Sequence, residues 1–238
     1  MRVMIETATV RVEDLGAYLA RPEGAEGGPG MLLLPMITGI GEQVRDWADE
    51  LADRGITALV WDPFKGRSTD NSTREELSGL LREMKDDTAL AEQVALLDHL
   101  VGELGCQQAG VMGWCLGGRL ALLLGAREHR LANVIAYHPT VPSKLAPQHS
   151  YDTVAEVGGI TAPVMVLYPS ADTSVPVADF EAVQTALQAR PTGATITHFY
   201  PGADHGFSDR GRHDQEVNAE AFKLSWPQAL AFIDATTS

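Results

Sequence analysis

The segment Gly113-Trp114-Cys115-Leu116-Gly117-Gly118 constrains this chain more than any other. It follows a short apolar run from Ala109 to Met112 and opens a leucine-rich stretch from Leu116 to about Ala126. That pattern predicts a buried strand that bends sharply into a helix. Gly113-x-Cys115-x-Gly117 is the nucleophile-elbow spacing, with cysteine where serine usually stands. The glycines have a steric reason, because a Cβ two residues either side of a strained turn would strike the neighbouring strand and helix. The bend also delivers the thiol to a helix amino terminus, where unpaired N–H groups and the helix dipole favour the thiolate. The same residues would equally serve as a glycine-bounded turn around an inert, buried cysteine, and the flanking sequence has to decide between the two.

Around this unit the chain alternates apolar runs with amphipathic ones. Residues 3–12 and 15–20, joined by Glu13-Asp14, predict an antiparallel hairpin at a sheet edge. Residues 31–35 and 56–61 predict buried strands, and residues 131–137, 164–168 and 194–200 predict further strands. Helices are expected over 42–54, ended by Gly55, over 74–84, over 87–104, and over 177–189. A terminal helix is expected over 217–233, kinked or broken at Pro227. Residues 139–158 read as a long connection. The sum is one α/β domain over residues 1–238, a mostly parallel sheet with helices on both faces and an N-terminal antiparallel edge hairpin.

Composition narrows the partners. A net charge of -14 disfavours nucleic acid and anionic membranes. No apolar run approaches the ~20 residues that span a bilayer, and the first residues lack a secretory signal. Two cysteines, Cys106 and Cys115, are too few for a disulfide framework, which points to a reduced, cytoplasmic protein. No His/Cys cluster has metal-ligand spacing, and no phosphate-binding glycine loop follows the first buried strand, so neither metal nor cofactor is expected. A small-molecule partner remains, with monomer and homodimer both open.

A thiol nucleophile needs a base and an orienting acid. Sites in such sheets form beyond the carboxyl ends of the strands. That rule selects Pro35-Met36-Ile37, Cys115, Ser170-Ala171-Asp172 and Asp204-His205-Gly206. Of the seven histidines, His205 stands on a loop after the last strand and suits the base. His138 also ends a strand and is a candidate to line the pocket. Asp172 suits the acid; Asp204 competes but adjoins the histidine in sequence. The order Cys115, Asp172, His205 is that of nucleophile, acid and base in α/β-hydrolases.

Gly113-Trp114-Cys115-Leu116-Gly117-Gly118, Ser170-Ala171-Asp172 with Val175-Pro176, and Ala203-Asp204-His205-Gly206-Phe207 together resemble the dienelactone hydrolase family. Gly55-Ile56-Thr57-Ala58 and Trp61-Asp62-Pro63-Phe64 add to the likeness, which runs from about residue 10 to about residue 233. The resemblance implies the α/β-hydrolase fold and a Cys115–His205–Asp172 triad that hydrolyses a small ester or lactone through an acyl-enzyme. It implies an oxyanion hole from the backbone N–H groups of Ile37 and Leu116. It also directs attention to Met36, Phe64, Trp114, His138, Phe207, Arg74, Arg82 and Arg210 as substrate-binding candidates. The best-studied branch carries a glutamate before the oxyanion-hole residue to hold the resting thiol; here that position is Met36. A thioesterase or general carboxylesterase with the same residues is the alternative. A ligand-binding or redox-sensing protein is the alternative of another class.

Overall fold

The computed structural model describes residues 3–237; residues 1, 2 and 238 of the expected domain lie outside the described residues. Strands β1 (Ile5–Val12) and β2 (Leu15–Pro22) form the antiparallel hairpin. The sheet continues with β3 (Pro29–Leu34), β4 (Thr57–Trp61), β5 (Gln108–Trp114), β6 (Val134–Tyr137), β7 (Val164–Pro169) and β8 (Thr195–Tyr200). The spatial order is β1-β2-β4-β3-β5-β6-β7-β8. β2 pairs with β4 antiparallel, and every pairing from β4 through β8 is parallel.

The central strands read as unbroken apolar runs because both faces are covered. In β3, Leu32 and Leu34 join one core while Met31 and Leu33 join the other, as the two-residue side-chain period requires. The first core holds apolar residues of α3 (Asp86–Gly102), α4 (Leu116–Arg127) and α6 (Val177–Gln188). The second holds those of α1 (Glu42–Asp53) and α7 (Glu216–Thr236), where Trp47 stacks on Trp114 with ring centroids 4.3 Å apart. The helix expected over 74–84 is α2 (Arg74–Glu83), started by a capping box between Thr73 and Glu76. None of the described helices is long and apolar enough to cross a membrane.

Three expectations are corrected. The terminal helix is one continuous run through Pro227. Proline has no N–H for the Lys223 carbonyl one turn back. Trp226, Ala229, Leu230 and Ile233 are buried against the sheet and hold the helix there on both sides of the proline. The connection over 139–158 holds a short helix, α5 (Thr153–Glu156), capped by the Asp152 side chain, and a 3-10 turn at Val157–Gly159. Four residues are too few to show a helical period. β6 starts at Val134 rather than Leu131, after the buried Asn133 side chain has turned to bond Thr236 at 2.7 Å.

Two features anchor the bend between β5 and α4. A Cβ at Gly117 would lie 1.9 Å from the Leu34 carbonyl oxygen, so the helix seats against the end of β3 only because a hydrogen stands there. Two residues on, the buried Arg119 guanidinium grips both carboxylate oxygens of Asp86 at 2.7 and 2.8 Å and donates to the Tyr151 carbonyl at 2.9 Å. Asp86 also accepts from the Ser150 and Tyr151 N–H groups. Burial works to raise the Asp86 pKa, and the Arg119 bonds and charge outweigh it and hold it low. This fork ties α4 to the start of α3 and to the 139–158 connection. Arg119→Met strands Asp86 as a buried, uncompensated carboxylate and is expected to cost about 3–5 kcal/mol in denaturant unfolding. Adding Asp86→Leu should recover much of that loss. A single-mutant cost below about 1 kcal/mol would show that the pair is not the anchor.

Candidate active site

Cys115 stands at the turn between β5 and α4 with φ 54° and ψ -113°, a strained backbone for a residue with a Cβ. Its N–H donates to the Tyr137 carbonyl and its carbonyl accepts from Arg119 N–H, which fix the turn to β6 and to α4. Asp172 and His205 arrive on the loops after β7 and β8. These loops are joined, since Ala171 N–H donates to the Ala203 carbonyl at 3.0 Å and Ser170 N–H to the Tyr200 carbonyl at 3.1 Å. Asp172 Oδ2 lies 2.7 Å from His205 Nδ1, and His205 Nε2 lies 3.1 Å from Cys115 Sγ. Asp172 Oδ1 accepts from Ser174 and Val175 N–H at 2.7 and 2.9 Å, so the wholly buried carboxylate is bonded at both oxygens.

The electrostatics follow from these contacts. Burial works against the Cys115 thiolate, but the bond and charge of His205, the Thr140 hydroxyl and the Leu116 N–H outweigh it and pull the pKa below the usual thiol range. Burial likewise works against the His205 imidazolium, yet Asp172 and Cys115 push its pKa up to about 10. Each group favours the charged form of the other, so sulfur and imidazole titrate as a coupled pair inclined toward thiolate and imidazolium. Cys106 is the contrast: burial pushes that thiol up.

Sulfur and imidazole open on a cavity of about 460 Å³. A larger cleft of about 840 Å³ between α2 and α3 contains neither Cys115 nor His205. Among the described residues no group of three or more His, Cys, Asp and Glu side chains could hold a metal ion.

The model of the dienelactone hydrolase family matches residues 15–237. The chain belongs to the dienelactone hydrolase family. A relative from Salmonella typhi, provisionally named a carboxymethylenebutenolidase, is 30% identical over 209 residues, covering 82% of this chain and 74% of its own length. One of the same provisional name from Yersinia pestis is 27% identical over 230 residues, covering 92% and 82%. The crystal structure of a provisionally named dienelactone hydrolase from Klebsiella pneumoniae superposes with a TM-score of 0.81 at 24% identity, over 98% of this chain and 99% of that one. A dienelactone hydrolase-like promiscuous phosphotriesterase from metagenomic libraries gives 0.81 at 19% identity over both full chains. These structures share the α/β-hydrolase fold.

Within this dienelactone hydrolase-family fold, Met36, Ile37, Leu116, Arg74 and Arg82 line the cavity with Cys115 and His205. Five other expected substrate contacts do not. Trp114 points to the opposite face of β5 and is sealed between Trp47 and Tyr137. Phe207 is buried against Tyr200 and His138. Phe64 packs in the first core and edges the larger cleft. His138 is fully buried beneath His205, ring centroids 5.1 Å apart, with Nε2 bonded to Ser208 Oγ at 2.8 Å; burial holds it neutral. Arg210 turns away to pair with Asp46, and it is Arg212, two residues on, that reaches the cavity. Asp204 lies 4.0 Å from Arg212 rather than on the imidazole.

Sequence reasoning missed Thr140, whose Oγ1 is 3.0 Å from Cys115 Sγ, and the wall formed by Leu77 and Leu81 of α2. The signal for Thr140 was the strand-ending His138-Pro139 just before it. For α2 it was the Leu77/Leu81 spacing on one helix face, alongside Arg74. The charge state makes an alkylation prediction. An ordinary thiol titrates near ~8.5, so iodoacetamide at pH 7 should label Cys115 at least about tenfold faster than Cys106. The Cys115 rate should drop only as pH falls through its lowered pKa. Equal rates at pH 7 in the folded protein would contradict the ion pair.

Proposed function

We propose that this chain hydrolyses a small ester or lactone with Cys115 as nucleophile, His205 as proton carrier and Asp172 as orienting acid. The observation that carries the reading is the continuous hydrogen-bond line from Asp172 through His205 to the Cys115 sulfur at the cavity wall. The thiolate attacks the acyl carbon, and the carbonyl π electrons move to oxygen, facing the backbone N–H groups of Ile37 and Leu116. Collapse expels the alkoxide, which takes the proton from His205 Nε2 and leaves an acyl-thioester. Water then gives its proton to His205 as its oxygen attacks, and the second collapse returns the electron pair to sulfur. Asp172 keeps the imidazole in one orientation and stabilises its charged form throughout.

The cavity walls suit a compact acyl group. Met36, Ile37, Leu77, Leu81 and Leu116 supply apolar surface, while Arg74, Arg82 and Arg212 supply positive charge. An ester or lactone bearing an anionic substituent fits this combination, in keeping with the provisional naming of the curated relatives as carboxymethylenebutenolidases. Met36 carries no charge, so at rest the sulfur has His205 rather than an acidic neighbour before Ile37 as its charged partner. Two cysteines that stand unpaired fit a reducing, cytoplasmic setting.

Turnover of p-nitrophenyl acetate by wild type and its loss in Cys115→Ala would support the reading. A wild-type protein that binds but does not turn over any of a panel of esters, lactones and thioesters would favour a redox or binding role. Asp172→Asn should keep the fold and lower kcat by a factor on the order of 10²–10⁴. Asp204→Asn should cost much less, and the reverse ranking would move the acid to Asp204. Met36→Glu is expected to slow iodoacetamide labelling of Cys115, because a carboxylate beside the sulfur disfavours the thiolate. Unchanged labelling would show that this side chain does not reach the sulfur.

A further inference from the structure

The loop after β6 puts a second side chain on the reacting sulfur. Thr140 Oγ1 lies 3.0 Å from Cys115 Sγ, and Thr140 N–H donates to the Cys115 carbonyl, also at 3.0 Å. The backbone that carries it is held under strain. His138 has φ 32°, left-handed for a residue with a side chain, and such a conformation persists only where its surroundings over-determine it. Here the His138 N–H donates to the Leu167 carbonyl at 2.6 Å, and its buried ring bonds Ser208 Oγ at 2.8 Å. Pro139 fixes the next φ, and it lies against α4 where a Cβ at Gly118 would come within 3.1 Å of its Cα. Threonine is stiff at χ1, so once its backbone is set its hydroxyl is aimed.

We propose that the Thr140 hydroxyl is a catalytic hydrogen-bond donor that holds the Cys115 thiolate at rest and receives it again when the acyl-enzyme breaks down. The proposal rests on Cys115 being the nucleophile. A thiolate can only accept, a hydroxyl has one proton to offer, and the thioether of Met36 has none. No proton leaves Thr140. As the sulfur–carbon bond forms, charge passes from sulfur to the carbonyl oxygen and the hydroxyl loses its acceptor. When that bond breaks in the second step the electron pair returns to sulfur, and the same hydroxyl stabilises the leaving thiolate.

The charged and titratable groups facing the cavity are His205 with Asp172 behind it, Arg74 and Arg82 of α2, Arg119 of α4, His149 of the connection, and Asp209 and Arg212 after β8. His138 lies under His205. Thr140→Val removes the hydroxyl, keeps the shape and changes none of these, so a titration difference reports the hydroxyl. The thiolate ultraviolet absorbance is followed against pH in wild type, Thr140→Val, Thr140→Ala and Thr140→Ser, with iodoacetamide rates alongside. Both hydroxyl-free variants should raise the lower apparent pKa of the Cys115–His205 pair by about one unit. They should also slow alkylation below it, and Thr140→Ser should restore most of both. Wild-type titration in the hydroxyl-free variants, or no rescue by serine, overturns the proposal. Ester turnover by Cys115→Ala would overturn the nucleophile reading and this one with it. An inactive Cys115→Ala beside an unshifted titration overturns this one alone.

Discussion

The packing of α4 against the end of β3 at Gly117 is a backbone-on-backbone contact that leaves no room for a side chain. From it follow the sharp bend at Cys115, the placement of the thiol at a helix amino terminus, and the approach of Ile37 and Leu116 to one cavity. A helix shifted outward by the width of a methyl group would carry the sulfur away from His205, whose own position is set from β8. The Arg119–Asp86 fork and the Tyr137 carbonyl act on the same turn from two other sides. The site is therefore fixed by close approach and by satisfied polar groups, more than by the side chains that face the substrate.

Charge in this site is controlled by competition between burial and hydrogen bonding. Burial opposes ionisation at Cys115, His205 and His138 alike. Cys115 and His205 have partners that outweigh it, His205 for the thiol and Asp172 with Cys115 for the imidazole. His138 has a neutral serine as partner, and burial wins. Two histidines packed edge to face with ring centroids 5.1 Å apart are thereby held in opposite protonation states, since two adjacent imidazolium charges would repel.

Much of this architecture is legible in the sequence because both faces of the central strands are buried, which leaves runs such as Met31–Leu34 unbroken. The strand-end rule led to Cys115, Asp172 and His205, and in the structure His205 lies within hydrogen-bonding distance of both others. The side chains around the substrate were harder to read. Trp114 and Phe207 adjoin or nearly adjoin the reactive residues in the chain, yet both face a core. Arg210 and Arg212 differ only by which side of a 3-10 turn they leave. The cavity wall comes from α2 and the 139–158 connection, segments distant in sequence from the thiol, and no period or spacing tells where they fold back. Pro227 misleads for a related reason, since burial of α7 against the sheet on both sides of the proline offsets what the isolated helix would lose.

The hydrogen bonds joining the loops after β7 and β8 have a mechanical consequence. Ala171 to Ala203, Ser170 to Tyr200 and Gly202 to the Ser170 hydroxyl bind those loops into one body that carries both carboxylate and imidazole. The sulfur and Thr140 ride on another, built from the ends of β5 and β6 and the start of α4. His138 bridges the two, through its N–H to the Leu167 carbonyl and its ring to Ser208, so a displacement of one body against the other would act on the sulfur–imidazole gap before the imidazole–carboxylate spacing. The alignment of His205 by Asp172 is thus set within one body, apart from the spacing that separates its ring from the sulfur.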